Sequence, residues 1–111
     1  MSVPLKKILI VAHNPPVRET RGMLLDSAGD YALTSVSSDD DAMAILETEA
    51  FDLVLIGRSS RYYKKGLDQR IRERHPNMLV LKIDNVFSSF PSRMTDSVPT
   101  HVLTAIREML A

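Results

Sequence analysis

Lys7-Ile8-Leu9-Ile10-Val11 decides the architecture. After its lysine the run is continuously apolar, too short for a helix and without the alternation of a strand that meets water on one face. A strand covered on both faces reads this way, and such strands belong in the middle of parallel sheets. Phe51-Asp52-Leu53-Val54-Leu55-Ile56 repeats the pattern and stops at Gly57; Met78-Leu79-Val80-Leu81-Lys82-Ile83 repeats it again. Tyr31 to Ser37 is a further β-rich stretch.

Helices fill the intervals. Asn14-Pro15-Pro16 offers a capping side chain followed by proline in the first turn, and Val17, Met23, Leu24, Leu25 and Ala28 recur at near-helical spacing up to Gly29. Ser38, with Asp41 three residues on, opens a second helix through Ala42, Ile45, Leu46 and Thr48. Gly66 to His75 forms a short third helix with Leu67 and Ile71 on its inner face, ended by Pro76. Pro99, Val102, Leu103, Ile106 and Leu110 outline an amphipathic last helix. Strand and helix alternate, which implies a parallel sheet with helices on both faces. Asp84 to Val98 interrupts the rhythm, being too short for a full helix, a strand and their turns. A loop or single turn around Val86 to Phe90 and a short fifth strand near Arg93 to Thr95 are expected there.

The 111 residues, 44% hydrophobic and 25% charged, make one domain over residues 1–111, large enough to bury roughly two thirds of its unfolded surface. The longest apolar run, Ile8 to Ala12, is far short of a membrane span, and no secretory cleavage pattern is seen, so a cytoplasmic location is expected. Without cysteine there is no disulfide framework and no thiolate site, and His13, His75 and His101 have no metal-pair spacing, so no metal is expected. Formal net charge is zero, but Gly22 to Gly57 holds eight carboxylates and no lysine or arginine, whereas Arg58 to His75 carries seven basic residues against two acidic. Two readings of that asymmetry stand: solvated helix faces, or a polar molecule that docks a charged partner or its own copy. Tyr62 and Tyr63 lie among the basic residues, yet zero net charge and the lack of a helix-turn-helix argue against a nucleic-acid partner. The four glycines are scattered and no G-x-S-x-G occurs, which argues against phosphate-loop and serine-hydrolase chemistry.

In an open parallel sheet the ligand site lies beyond the carboxyl ends of the central strands. Ala12, His13, Asn14, Gly57, Arg58, Lys82 and Ile83 fall there. With these stretches in order, joined by Ile71-Arg72-Glu73-Arg74-His75-Pro76 and Ala105-Ile106-Arg107-Glu108, the chain resembles the CheY-like receiver domain of bacterial two-component response regulators over almost its whole length. The resemblance implies a flavodoxin-like three-layer α/β/α fold with a five-stranded parallel sheet, its fourth helix shortened or missing. It also implies signal transduction without enzymatic activity.

The family's reactive residues are replaced. The acidic pair that follows the first strand in receivers is Ala12 and His13 here, and the phosphoacceptor aspartate is Gly57. The hydroxyl residue ending the fourth strand is Lys82, and the lysine-proline pair after the fifth falls near Thr95-Asp96. Aspartyl phosphorylation needs a carboxylate nucleophile and a magnesium ion held by oxygen ligands. On this reading the sheet's mouth offers no acidic oxygen, and a degenerate receiver without cofactor is expected, acting by contact with another signalling protein or by self-association. Phe87, Phe90, His101 and Arg107 are candidates for its interaction surface, and the basic loop Arg58 to Lys65 is a second. The alternative is a small anion- or nucleotide-binding regulatory domain using His13, Asn14, Arg58 and Lys82. A chain ending just after Leu110 is expected either to work alone or to be a piece of a larger regulator.

Overall fold

A computed structural model of the chain describes residues 5–29, 31–56, 67–83, 92–95 and 99–110. Strand β1 (Lys6–Val11) leads to helix α1 (Pro15–Ala28), β2 (Tyr31–Val36), α2 (Asp39–Thr48) and β3 (Leu53–Ile56). Then come α3 (Leu67–Arg74), β4 (Val80–Ile83), β5 (Ser92–Thr95) and α4 (Pro99–Leu110). The strands form one parallel sheet in the order β2-β1-β3-β4-β5. The expected turn at Val86 to Phe90, and with it any fourth helix between β4 and β5, lies outside the described residues.

Burial explains why β1 and β3 lack alternation. Ile8, Ile10, Leu53, Leu55 and Leu81 point to one face, where Leu25 of α1 and Val102, Ala105 and Ile106 of α4 cover them. Leu9, Val11, Val54, Ile56 and Val80 point to the other, under Ala42 and Leu46 of α2 and Leu67 and Ile71 of α3. Side chains alternate between two cores, so each position is apolar. Each fully buried Leu or Ile contributes about 1.5–3 kcal/mol relative to exposure.

The helix ends follow their capping residues. Asn14 Oδ1 accepts from the Val17 amide at 3.2 Å, and Gly29 takes the left-handed conformation at φ 77° that ends α1. Ser38 Oγ accepts from the Asp41 amide at 3.0 Å. Strand starts differ from the sequence reading. The Met78 amide bonds back to the His75 carbonyl in a turn, so β4 begins at Val80 and not at Met78. Phe51 and Asp52 precede β3: the Asp52 amide donates to the Lys7 carbonyl at 2.8 Å, while Asp52 Oδ2 accepts from the Lys7 amide at 2.7 Å. Lys7 Nζ lies 4.9 Å from the centre of the Phe51 ring and 3.7 Å from Glu49. Two residues expected on the inner face of α1 are also exposed, Val17 at 38% and Met23 at 67%. The buried side of α1 is narrower than its apolar content and centres on Leu25.

The acidic and basic segments meet within the molecule. Arg70 of α3 bonds Asp40 of α2 at 3.2 Å, and Arg74 places Nε and Nη2 on Glu47 Oε1 at 3.2 and 2.8 Å. Part of the charge asymmetry is therefore internal pairing between neighbouring helices.

Candidate functional site at the carboxyl end of the sheet

The order β2-β1-β3 reverses direction about β1, which opens the crevice between the ends of β1 and β3. Ala12 extends the β1–β2 pairing by one bond, its amide donating to the Val36 carbonyl at 3.2 Å, and it is buried. Arg18 folds back from α1 and donates from Nη1 to the Ala12 carbonyl at 2.9 Å. The loop after β1 is thus held by a backbone bond to β2 on one side and by the Arg18 side chain on the other.

His13 comes next, and its Nε2 lies 3.2 Å from Oδ1 of Asp39. Asp39 is 4% exposed, the sole buried charged residue among the described residues, whereas His13 is about half exposed. An ionised carboxylate only accepts, so the contact requires a hydrogen on Nε2. Asp39 is the first residue of α2, where the positive end of the helix dipole favours a carboxylate. This corrects the expectation that the mouth has no acidic oxygen: α2 carries one there, engaged by His13. The sequence held a signal for it. Asp39, Ala42 and Leu46 stand at i, i+3 and i+7, which puts Asp39 on the face of α2 that is buried.

Lys82 lies in β4 with Ile56 and Met94 as its register partners and is partly buried. Alternation from Val80 directs it to the sheet face that carries α2 and α3. Of the four residues expected to bind an anion, three lie among the described residues. Asn14 is turned to the first turn of α1, His13 is paired with Asp39, and Lys82 remains at the strand end. Gly57 and Arg58 lie outside the described residues, as do Phe87, Phe90 and the loop Arg58 to Lys65. Thr95 ends β5 opposite Ile83, and His101 lies in α4, with their side chains outside the described part. Arg107 is exposed on α4. Among the described residues, no three His, Cys, Asp or Glu side chains converge, and no helix is long and apolar enough to cross a membrane.

No family model matches the chain, and no curated protein matches it. Solved structures do. A response regulator receiver protein from Sinorhizobium medicae WSM419 superposes with TM-score 0.80 at 21% identity, covering 98% of this chain and 97% of that one. The chemotaxis response regulator CheY4 of Vibrio cholerae gives TM-score 0.79 at 14% identity over 96% of this chain and 100% of that one. The response regulator TrrA of Thermotoga maritima, solved in complex with the histidine kinase ThkA, gives TM-score 0.76 at 15% identity, again over 96% and 100%. The chain has the receiver-domain fold.

Proposed function

We propose that this receiver-like domain takes part in signal transduction by protein–protein contact and does not accept a phosphoryl group. One observation carries the reading: the residues at the exit of β1 are a buried alanine and a histidine already bound to the only buried carboxylate among the described residues. A receiver's magnesium ion does not fit this donor set. Ala12 brings no ligating side-chain atom and its carbonyl accepts from Arg18, Asp39 is a single carboxylate engaged by His13, and Lys82 stands near the end of β4, beyond β3. The sequence adds Gly57, which supplies no nucleophile directly after β3.

The partner is another signalling protein. TrrA, with the same fold, is solved in complex with a histidine kinase, which supports a partner from that class. The docking face is the side built from β4, β5 and α4, where Arg107 is exposed and His101 lies in α4; Phe87 and Phe90 stand between β4 and β5 in the sequence. Incubation with acetyl phosphate and magnesium, followed by intact mass measurement, is expected to leave the mass unchanged; a stoichiometric phosphate adduct overturns the reading.

A further inference from the structure

The opposite edge of the sheet carries a second surface. Helix α1 and strand β2 enclose an open groove of about 500 Å³, lined by Arg18, Glu19, Gly22, Met23, Asp26 and Leu33 among others. Gly22 stands in the middle of a helix of 14 residues, and a Cβ built on it meets nothing within 4 Å. Its φ is not positive, since Gly29 alone among the described residues has that conformation. Neither backbone strain nor internal packing calls for glycine here, and glycine weakens a helix interior. What it offers is a bare stretch of helix to something outside the chain.

The charges on either side say what that is. Arg18 precedes Gly22 by four residues and Asp26 follows it by four. Neither finds an opposite charge three or four positions away along the helix: Arg18 has Asn14, Pro15, Arg21 and Gly22, and Asp26 has Gly22, Met23, Gly29 and Asp30. They are about 12 Å apart along the axis, too far to pair with each other. Two antiparallel copies of α1 related by a two-fold axis through Gly22 bring each Arg18 opposite the other copy's Asp26, so the surface is its own complement. The bond from Arg18 Nη1 to the Ala12 carbonyl orients the guanidinium and leaves its remaining donors for the carboxylate. Below the helix, β2 is the edge of the sheet, and Tyr31 to Ser38 contains no charge and no proline of the kind that guards exposed edges. Met23, 67% exposed, adds apolar surface beside the axis.

We propose that the α1–β2 edge is the docking site for a second copy of this chain, with Gly22 at the two-fold axis and two reciprocal Arg18–Asp26 pairs. The site is separate from the β4–β5–α4 face and leaves that face open to another protein.

Sedimentation velocity across a concentration series tests it. The native protein forms a dimer that dissociates on dilution. Arg18→Asp and Asp26→Arg each weaken the dimer about tenfold or more, and the double variant Arg18→Asp/Asp26→Arg regains it because both pairs are reversed together. Gly22→Gln raises the thermal midpoint of the dilute monomer while weakening the dimer, an opposition that a purely structural role for Gly22 does not produce. Circular dichroism verifies folding, and the Gly22 variant decides the matter where a charge variant fails to fold. A protein that stays monomeric at millimolar concentration overturns the proposal, as does a dimer indifferent to the single variants or not regained by the double.

Discussion

His13 and Asp39, 26 positions apart in the chain, meet at 3.2 Å where β1 and β2 hand over to their helices. The contact joins the loop after the central strand to the first residue of α2. It also gives the buried carboxylate a hydrogen-bond donor, which a charge so far from water requires.

Removing the histidine is therefore expected to cost more than changing the acid. His13→Ala leaves the Asp39 carboxylate buried without that donor and lowers stability by about 1–3 kcal/mol, toward the lower end because His13 is half exposed. Asp39→Asn keeps an acceptor oxygen of the same shape and costs less. Urea titrations at neutral pH read both as shifts of midpoint at constant slope. An unchanged midpoint for His13→Ala shows that something else satisfies the carboxylate.

The pairing of α2 with α3 makes a different kind of claim, because its members are exposed. Arg74 and Glu47 retain 66% and 45% side-chain exposure, so the two bonds between them are worth little despite good geometry. A double-mutant cycle with Glu47→Gln and Arg74→Gln is expected to return a coupling of about 0.2–1 kcal/mol at low salt. High salt should reduce it. A coupling above that range, or one insensitive to salt, points to water being excluded between the helices.

What could be read from the residues alone divides along physical lines. The central strands were legible because two-sided burial leaves its mark on every consecutive position, as in Ile8 to Val11 and Leu53 to Ile56. Caps at Asn14, Gly29 and Ser38 were legible because their chemistry is local. Met23 misled because an apolar residue at near-helical spacing carries no information on where the edge of the sheet leaves a helix uncovered. The meeting of Arg70 with Asp40, across 30 positions, depends on how two helices pack, which neither segment encodes alone. Asp39 was hidden for another reason: within Asp39-Asp40-Asp41 three like residues look equivalent until the helix phase set by Ala42 and Leu46 singles out one.

Arg21 offers a test of unpaired burial. Half-buried on α1, it has no ion-pair partner among the described residues, and loss of water around the guanidinium pulls its pKa below the ordinary value. A side chain of similar length without the charge avoids that desolvation and keeps the packing of the stem. Arg21→Met is accordingly expected to raise the urea midpoint slightly, by less than about 1 kcal/mol. A clear fall would mean that the guanidinium is held by a partner.

The last prediction concerns whether one residue separates this chain from a working phosphoacceptor. Gly57→Asp would supply the missing nucleophile after β3, yet transfer also needs a cation to neutralise the incoming phosphoryl oxygens, and that cation needs oxygen ligands beside it. At the exit of β1 the chain provides a buried methyl group at Ala12 and an imidazole committed to Asp39. Lys82 stands on β4, beyond β3, with a positive charge that disfavours a metal ion at this end of the sheet. Gly57→Asp alone is therefore expected to remain unlabelled by acetyl phosphate and magnesium in intact mass measurements. Adding Ala12→Asp and His13→Asp restores the acidic pair and is expected to permit labelling, at the cost of the bond that now holds Asp39. Labelling of the single variant would show that Asp39 leaves His13 to hold the ion, and the order of importance assigned here to nucleophile and metal ligands would reverse.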